Sequence, residues 1–223
     1  MCSSDLAKIL ERFGGSPLVS LVDIGGGYGL FAEEMERVTG LKPWILEPAP
    51  HLAAVCREKG FPVVEKFLEN VAPADLPPGS KAFVSFELFE HLHDPSLFLE
   101  RLRGFMASGD LFIFTTLSGT GLDIRSLWEF SKSASPPHHL NLLNPRSVSL
   151  LLTRSGFEPL EVTTPGKLDL SILDNNREKI RDRFWKTFVE VATQEEKQKM
   201  QDCIASLGMS SHMWVVCRKN QSF

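Results

Sequence analysis

Leu18-Val19-Ser20-Leu21-Val22-Asp23-Ile24-Gly25-Gly26-Gly27-Tyr28-Gly29 is the stretch that decides the fold. Its first seven residues are mostly apolar and β-branched, which reads as a buried strand. Glycine then fills four of the next five positions. Beyond it, Leu30, Phe31, Met35 and Val38 recur at helical spacing, with Glu33, Glu34 and Glu36 opposite. A turn this rich in glycine admits positive φ and lets a ligand approach the backbone with no Cβ in the way. The helix that follows offers unpaired N–H groups and the positive end of its dipole. Four glycines weaken a plain turn far more than one would, so the segment reads as a ligand cradle.

Outward from this unit the chain keeps alternating. Lys42 to Glu47 is a second strand closed by Pro48, and Pro50 to Lys59 a helix ended by Gly60. Phe61 to Val64, Lys81 to Phe86 and Leu111 to Thr116 are the next strands, with a proline-rich loop over Pro73 to Ser80. Asp94 suits a helix N-cap and Pro95 the first helical position, ahead of Phe98, Leu99, Leu102 and Phe105. Strands alternating with helices predict an α/β fold with a mostly parallel sheet and right-handed crossovers.

The second half is less regular. Residues 117–143 read as a long, partly ordered connection containing Pro136-Pro137-His138-His139, and connections that long are usually functional. Asn144-Pro145 starts a helix that ends near Ser155-Gly156. Phe157 to Thr164 is a strand cut by Pro165-Gly166, and 174–206 is charged and helical. Phe184 and Phe188, beside Trp185, suit a packing face, a lid or a homodimer contact. Met213 to Cys217 is a last strand. The whole chain, 1–223, is expected to form a single domain.

Composition narrows the partners. With 223 residues, 43% hydrophobic and 23% charged, the chain can bury a core without staples. A net charge of −4, and mixed signs along 177–199, argue against a nucleic-acid partner. No apolar run is long enough for a membrane span, and the N-terminus lacks the features of a secretory signal. Four cysteines without a CxxC pair read as free thiols, so a cytoplasmic location is expected.

The ligand is read from charge. Gly27-x-Gly29-x-x-Ala32 fits the dinucleotide fingerprint, and Glu47, 18 residues after Gly29, suits a carboxylate holding ribose hydroxyls. Nicotinamide and other ribose-bearing cofactors fit equally on these two features. Asp23, two residues before Gly25, separates them. An anionic side chain there opposes a pyrophosphate and favours a positive ligand such as an amino group or a sulfonium.

Asp23-x-Gly25-x-Gly27-x-Gly29 with Glu47 resembles the class I S-adenosylmethionine-dependent methyltransferases. Phe86-Glu87-Leu88-Phe89-Glu90-His91-Leu92-His93-Asp94-Pro95 is similar to the segment after the fourth strand in the UbiG-like, small-molecule branch. His139-Leu140-Asn141-Leu142, then Pro145-Arg146-Ser147 and Ser155-Gly156-Phe157-Glu158, resemble a later stretch of that branch. The resemblance implies a Rossmann-like sheet of seven strands, order 3-2-1-4-5-7-6, with the last strand antiparallel and helices on both faces. It implies S-adenosylmethionine as cofactor and transfer of its methyl to an oxygen, carbon or nitrogen of a small-molecule acceptor. By it, Asp23, Gly25, Gly26, Gly27 and Gly29 hold the methionine part and Glu47 the ribose. Lys66 and Phe67 line the adenine, and Phe86 and Glu87 face the methionine side.

For the acceptor, His91 and His139 are the expected catalytic residues, as a base or as positioning groups. No metal is assigned, because His91, His93, His138 and His139 would have to be brought together by the fold. Thr164 to Asp169 is expected to turn inward near the same edge, and His212 to be structural. Residues 15–116 form the cofactor half and 117–223 the acceptor half, with a helical insert at about 169–206. Only about 20 residues precede the glycine turn, fewer than the covered members of that branch carry. The acceptor pocket then comes from 117–143 and 164–210, or the chain is a shorter version of a longer one. Two rivals stand: an NAD(P)-dependent oxidoreductase, although the single tyrosine, Tyr28, leaves no Tyr-x-x-x-Lys pair, and a non-catalytic cofactor-binding subunit.

Overall fold

In a computed structural model, which describes residues 3–13 and 20–220, strands and helices alternate along the chain. The strands are β1 (Ser20–Ile24), β2 (Trp44–Leu46), β3 (Val63–Val64), β4 (Lys81–Ser85), β5 (Leu111–Leu117), β6 (Phe157–Thr163) and β7 (His212–Lys219). The helices are α1 (Ser3–Phe13), α2 (Leu30–Thr39), α3 (Pro50–Glu58), α4 (Pro95–Phe105), α5 (Leu122–Leu127) and α6 (Pro145–Arg154). Then come α7 (Asp169–Asn175), α8 (Arg183–Val191) and α9 (Gln194–Ser206). The strands make one sheet in the order β3-β2-β1-β4-β5-β7-β6. β1 to β5 run parallel, and β7 runs antiparallel to both β5 and β6. This is the seven-stranded arrangement expected above.

Both faces of the sheet are covered, which is why its central strands are apolar without alternation. Side chains still alternate between two cores. Phe83, Phe112, Phe114 and Phe157 pack one face against Phe98, Leu102, Val148 and Leu152. Ala82, Val84, Ile113 and Val216 pack the other against Leu6 and Met35. The Phe112 and Phe114 rings stack with centroids 4.8 Å apart. Burying one such ring contributes about 1.5–3 kcal/mol.

Helix starts follow their caps. Asp94 Oδ1 accepts from the Leu97 N–H at 2.9 Å ahead of Pro95. Asn144 Oδ1 accepts from the Arg146 and Ser147 N–H groups ahead of Pro145. α2 begins at Leu30 rather than Tyr28, because Gly29 sits at φ 72 and ends the turn. The first strand was expected from Leu18; Leu18 and Val19 lie outside the described residues, as does Cys2. β2 and β3 are shorter than the apolar runs that mark them.

The charged stretch 174–206 is not one helix. Asp182 caps α8 at the Trp185 N–H, and Thr193 with Glu196 closes a capping box at the start of α9. These caps cut the segment, and α7 begins earlier, at Asp169. The 117–143 connection carries α5 and a 3-10 turn over Trp128–Phe130.

Candidate functional site

β1 lies between β2 and β4, with Asp23 in register with Ile45 and Val84. The chain leaves β1 toward one side of the sheet and β4 toward the other. The carboxyl ends of β1 and β4 therefore flank the crevice where open α/β sheets bind ligands. Asp23, the glycine turn, Phe86 and Glu87 stand at these strand ends, and Glu47 at the neighbouring end of β2.

Glycine is required in the turn for two reasons. Gly25, Gly27 and Gly29 have φ of 77, 56 and 72, the left-handed region. At Gly26 a Cβ would lie 2.7 Å from Ile45 Cγ2 and 3.0 Å from Asp23 Oδ2. The turn is tied down by its neighbours. The Gly25 N–H donates to the Leu46 carbonyl at 2.8 Å, and the Cys56 thiol donates to the Gly27 carbonyl at 3.2 Å.

Glu47 is buried and holds the turn with both oxygens. Oε2 accepts from the Gly27 N–H and Oε1 from the Ala49 N–H, each at 2.9 Å. The loop N–H that would cradle a phosphate is thus already given to a carboxylate. Asp23 is 2% exposed. Its Oδ2 is buried with no hydrogen-bond partner, as is Ser85 Oγ at the end of β4. Burial, and then the charge of Glu47, push the Asp23 carboxyl up to about 7. A buried acceptor without a donor costs about 1–3 kcal/mol unless a ligand supplies one. Two carboxylates and an occupied loop N–H repel a diphosphate and welcome a cation with N–H donors.

The rim residues divide. Phe67 is 62% exposed and free to meet a flat ring. Lys66 beside it is spent in an ion pair, Nζ to Asp75 Oδ2 at 2.7 Å. Phe86 packs edge-on to Phe31, centroids 4.5 Å apart, and faces Trp214. Glu87 has φ 52, one of two non-glycine residues among those described with positive φ. Its Oε1 accepts from Thr115 Oγ1 at 2.7 Å and lies 3.5 Å from His212 Nδ1. Strain of this kind gathers at functional sites.

On the opposite side of β5, His91 and His139 come together although 48 positions separate them in sequence, with ring centroids 4.9 Å apart. The Leu140 and Asn141 N–H groups donate to the Glu90 carbonyl, and Asn141 Nδ2 donates to the Leu92 carbonyl. These bonds pin the His139 segment to the exit of β4. His93 and His138 are exposed. Beyond the end of β5, a cavity of about 460 Å³ opens among Thr120, Arg125, Trp128, Ala134 and Leu142.

The Thr164–Asp169 turn does point inward, into a packed knot. Asp169 is buried and accepts from the Ser210 and Ser211 hydroxyls, the Ser211 N–H and Gln201 Nε2. Two partners of the site, Thr115 and Thr116, went unread in the sequence, and His212, expected to be structural, stands beside Glu87. Threonines inside an apolar strand carry no motif, and His212 meets Glu87 only through the β5–β7 pairing, which sets it opposite Leu117.

The profile of a family described as "Methyltransferase domain" matches residues 3–162, more than two thirds of the chain. No curated protein matches the sequence. Among solved structures, the chain is similar to a phosphoethanolamine N-methyltransferase of Haemonchus contortus bound to phosphomonomethylethanolamine and S-adenosylhomocysteine. That likeness has a TM-score of 0.64 at 19% identity and covers 98% of this chain and 53% of the other. A SAM-dependent methyltransferase of Archaeoglobus fulgidus gives 0.60 at 16% identity, covering 97% and 92%. The cyclase SpnF gives 0.59 at 15% identity, covering 98% and 80%, so the fold also carries other chemistry. By its profile match and its sheet, the chain belongs to the methyltransferase domain family, with the class I Rossmann-like fold.

Proposed function

We propose that the protein transfers a methyl group from S-adenosylmethionine to a small-molecule acceptor. The observation that carries this reading is the pairing of an unpartnered, buried Asp23 oxygen with a Gly27 N–H already held by Glu47. Such a cradle suits the ammonium and sulfonium of the cofactor and opposes the diphosphate of a nicotinamide dinucleotide.

In this reading Asp23 and Gly25 to Gly29 take the methionine part. Glu47 holds the ribose hydroxyls with the lone pairs its backbone bonds leave over, and Phe67 covers the adenine. Lys66 lines that rim as the partner of Asp75. Phe86 and Glu87 face the methionine side. The cofactor brings a methyl already activated on a sulfonium. The residues of this chain then bind, orient and exclude water, and orientation alone is worth about 7–11 kcal/mol. Residues 15–116 act as the cofactor half and 117–223 as the acceptor half, with the cavity beside Trp128 as the acceptor chamber. His91 and His139 face the acceptor and position it.

The test is a screen of small acceptors with methyl-labelled cofactor. Label should pass to at least one acceptor, and His139→Ala should lower turnover while cofactor affinity stays intact. Cofactor binding without transfer to any acceptor would favour a non-catalytic binding subunit.

A further inference from the structure

Among the described residues, one group of histidine and carboxylate side chains converges as metal ligands do. One nitrogen of His91, one of His139 and one carboxylate oxygen of Glu90 all lie within 4.8 Å of one another. The three come from two segments, the exit of β4 and the connection after β5.

The hydrogen bonds around the group point the same way. His91 Nδ1 lies 2.7 Å from the His138 carbonyl oxygen, and His139 Nδ1 lies 2.9 Å from the Ser133 carbonyl oxygen. A carbonyl can only accept, so each Nδ1 carries a proton, and in the neutral ring Nε2 keeps the lone pair. Metal-binding imidazoles are usually fixed in this way, with the second nitrogen donating to a backbone carbonyl. Glu90 is 2% exposed. Thr116 Oγ1 donates to its Oε2 at 3.0 Å, a positioning bond of the kind that ligating carboxylates receive. The group is also graded in exposure, from buried Glu90 through half-buried His139 to exposed His91, so a coordination position stays open.

We propose that Glu90, His91 and His139 form a site for a divalent transition-metal ion of the zinc type. Two imidazoles and one carboxylate favour such an ion over magnesium or calcium, which take all-oxygen shells. Three protein ligands with an open position match the pattern of catalytic rather than structural zinc. The open position suits an oxygen of the acceptor; that use of the ion rests on the methyltransferase reading above, whereas the site itself does not.

The experiment is calorimetric titration of the chelator-treated full chain with Zn²⁺, repeated in a large excess of Mg²⁺, with S-adenosylhomocysteine titrated in parallel. One Zn²⁺ per chain should bind, undisturbed by Mg²⁺. His139→Ala and Glu90→Gln should each weaken it at least tenfold, and His93→Ala, outside the group, should leave it unchanged. Co²⁺ bound to the unmutated chain should show a ligand-field spectrum, which answers the question without any variant. No Zn²⁺ binding above that of a His91→Ala/His139→Ala double variant, no Co²⁺ spectrum, or displacement by Mg²⁺ would overturn the proposal. If S-adenosylhomocysteine binds and Zn²⁺ does not, the metal site alone fails. If Zn²⁺ binds and S-adenosylhomocysteine does not, the cofactor reading alone fails.

Discussion

Asp23 sits with its Oδ2 buried and unpartnered, close to where a Cβ on Gly26 would stand. Its carboxyl, raised from 3.8 to about 7, binds a proton more tightly in the folded chain than in the unfolded one. Between those two values the native state holds more protons, so ligand-free stability falls as pH rises from 4 to 7 and then levels. Above pH 7 the cost of the buried charge is on the order of 4 kcal/mol. Asp23→Asn should therefore raise the melting temperature of the ligand-free protein at pH 8 by several degrees. A cationic ligand prefers the ionised carboxylate. Affinity for S-adenosylmethionine should thus drop as pH falls below about 7, by up to tenfold per unit, with proton release on binding near neutrality. Calorimetry in buffers of different ionisation enthalpy reads that proton directly; a flat pH profile from 6 to 8 would contradict the assignment.

At the scale of elements, the glycine turn works because side chains are missing from it. Gly26→Ala would set a methyl 2.7 Å from the buried Ile45 Cγ2. It should cost about 1–3 kcal/mol in denaturant unfolding and weaken cofactor binding with it. The Asp169 knot has a different task. Its carboxylate joins α7 to Gln201 on α9 and to Ser210 and Ser211 ahead of β7. Gly121 fits beside Ser211 only without a side chain, since a Cβ would stand 2.2 Å from Ser211 Cα. Asp169→Ala should cost roughly 2–4 kcal/mol and expose 164–211 to limited proteolysis. The turn, the caps at Asp94 and Asn144 and the apolar strands were legible because each is a local pattern. The insert was not. Its helical spacing ran through Asp182 and Thr193, and only the caps formed there show where each helix stops. The His91–His139 contact was out of reach for another reason: it depends on two backbone bonds to Glu90 across a long connection.

Over the whole molecule, the strand order brings β1 and β4 side by side and so sets Asp23, Glu47 and Glu87 around one crevice. The order was legible through family resemblance more than through spacing, because short strands such as Val63–Val64 carry little pattern of their own. No helix among the described residues is long and apolar enough to cross a membrane. α8 leaves Phe184 and Val191 exposed. The central claim is that the crevice selects a nucleoside bearing an amino-acid ammonium over a dinucleotide. Its most direct test is calorimetric titration of S-adenosylhomocysteine and NAD into the unmutated chain, Asp23→Ala and Glu47→Ala. S-adenosylhomocysteine should bind at micromolar level and NAD should not, with each variant weakening the former more than tenfold, about 1.4 kcal/mol. NAD binding as tight as that of S-adenosylhomocysteine, or unchanged affinity in both variants, would contradict the account.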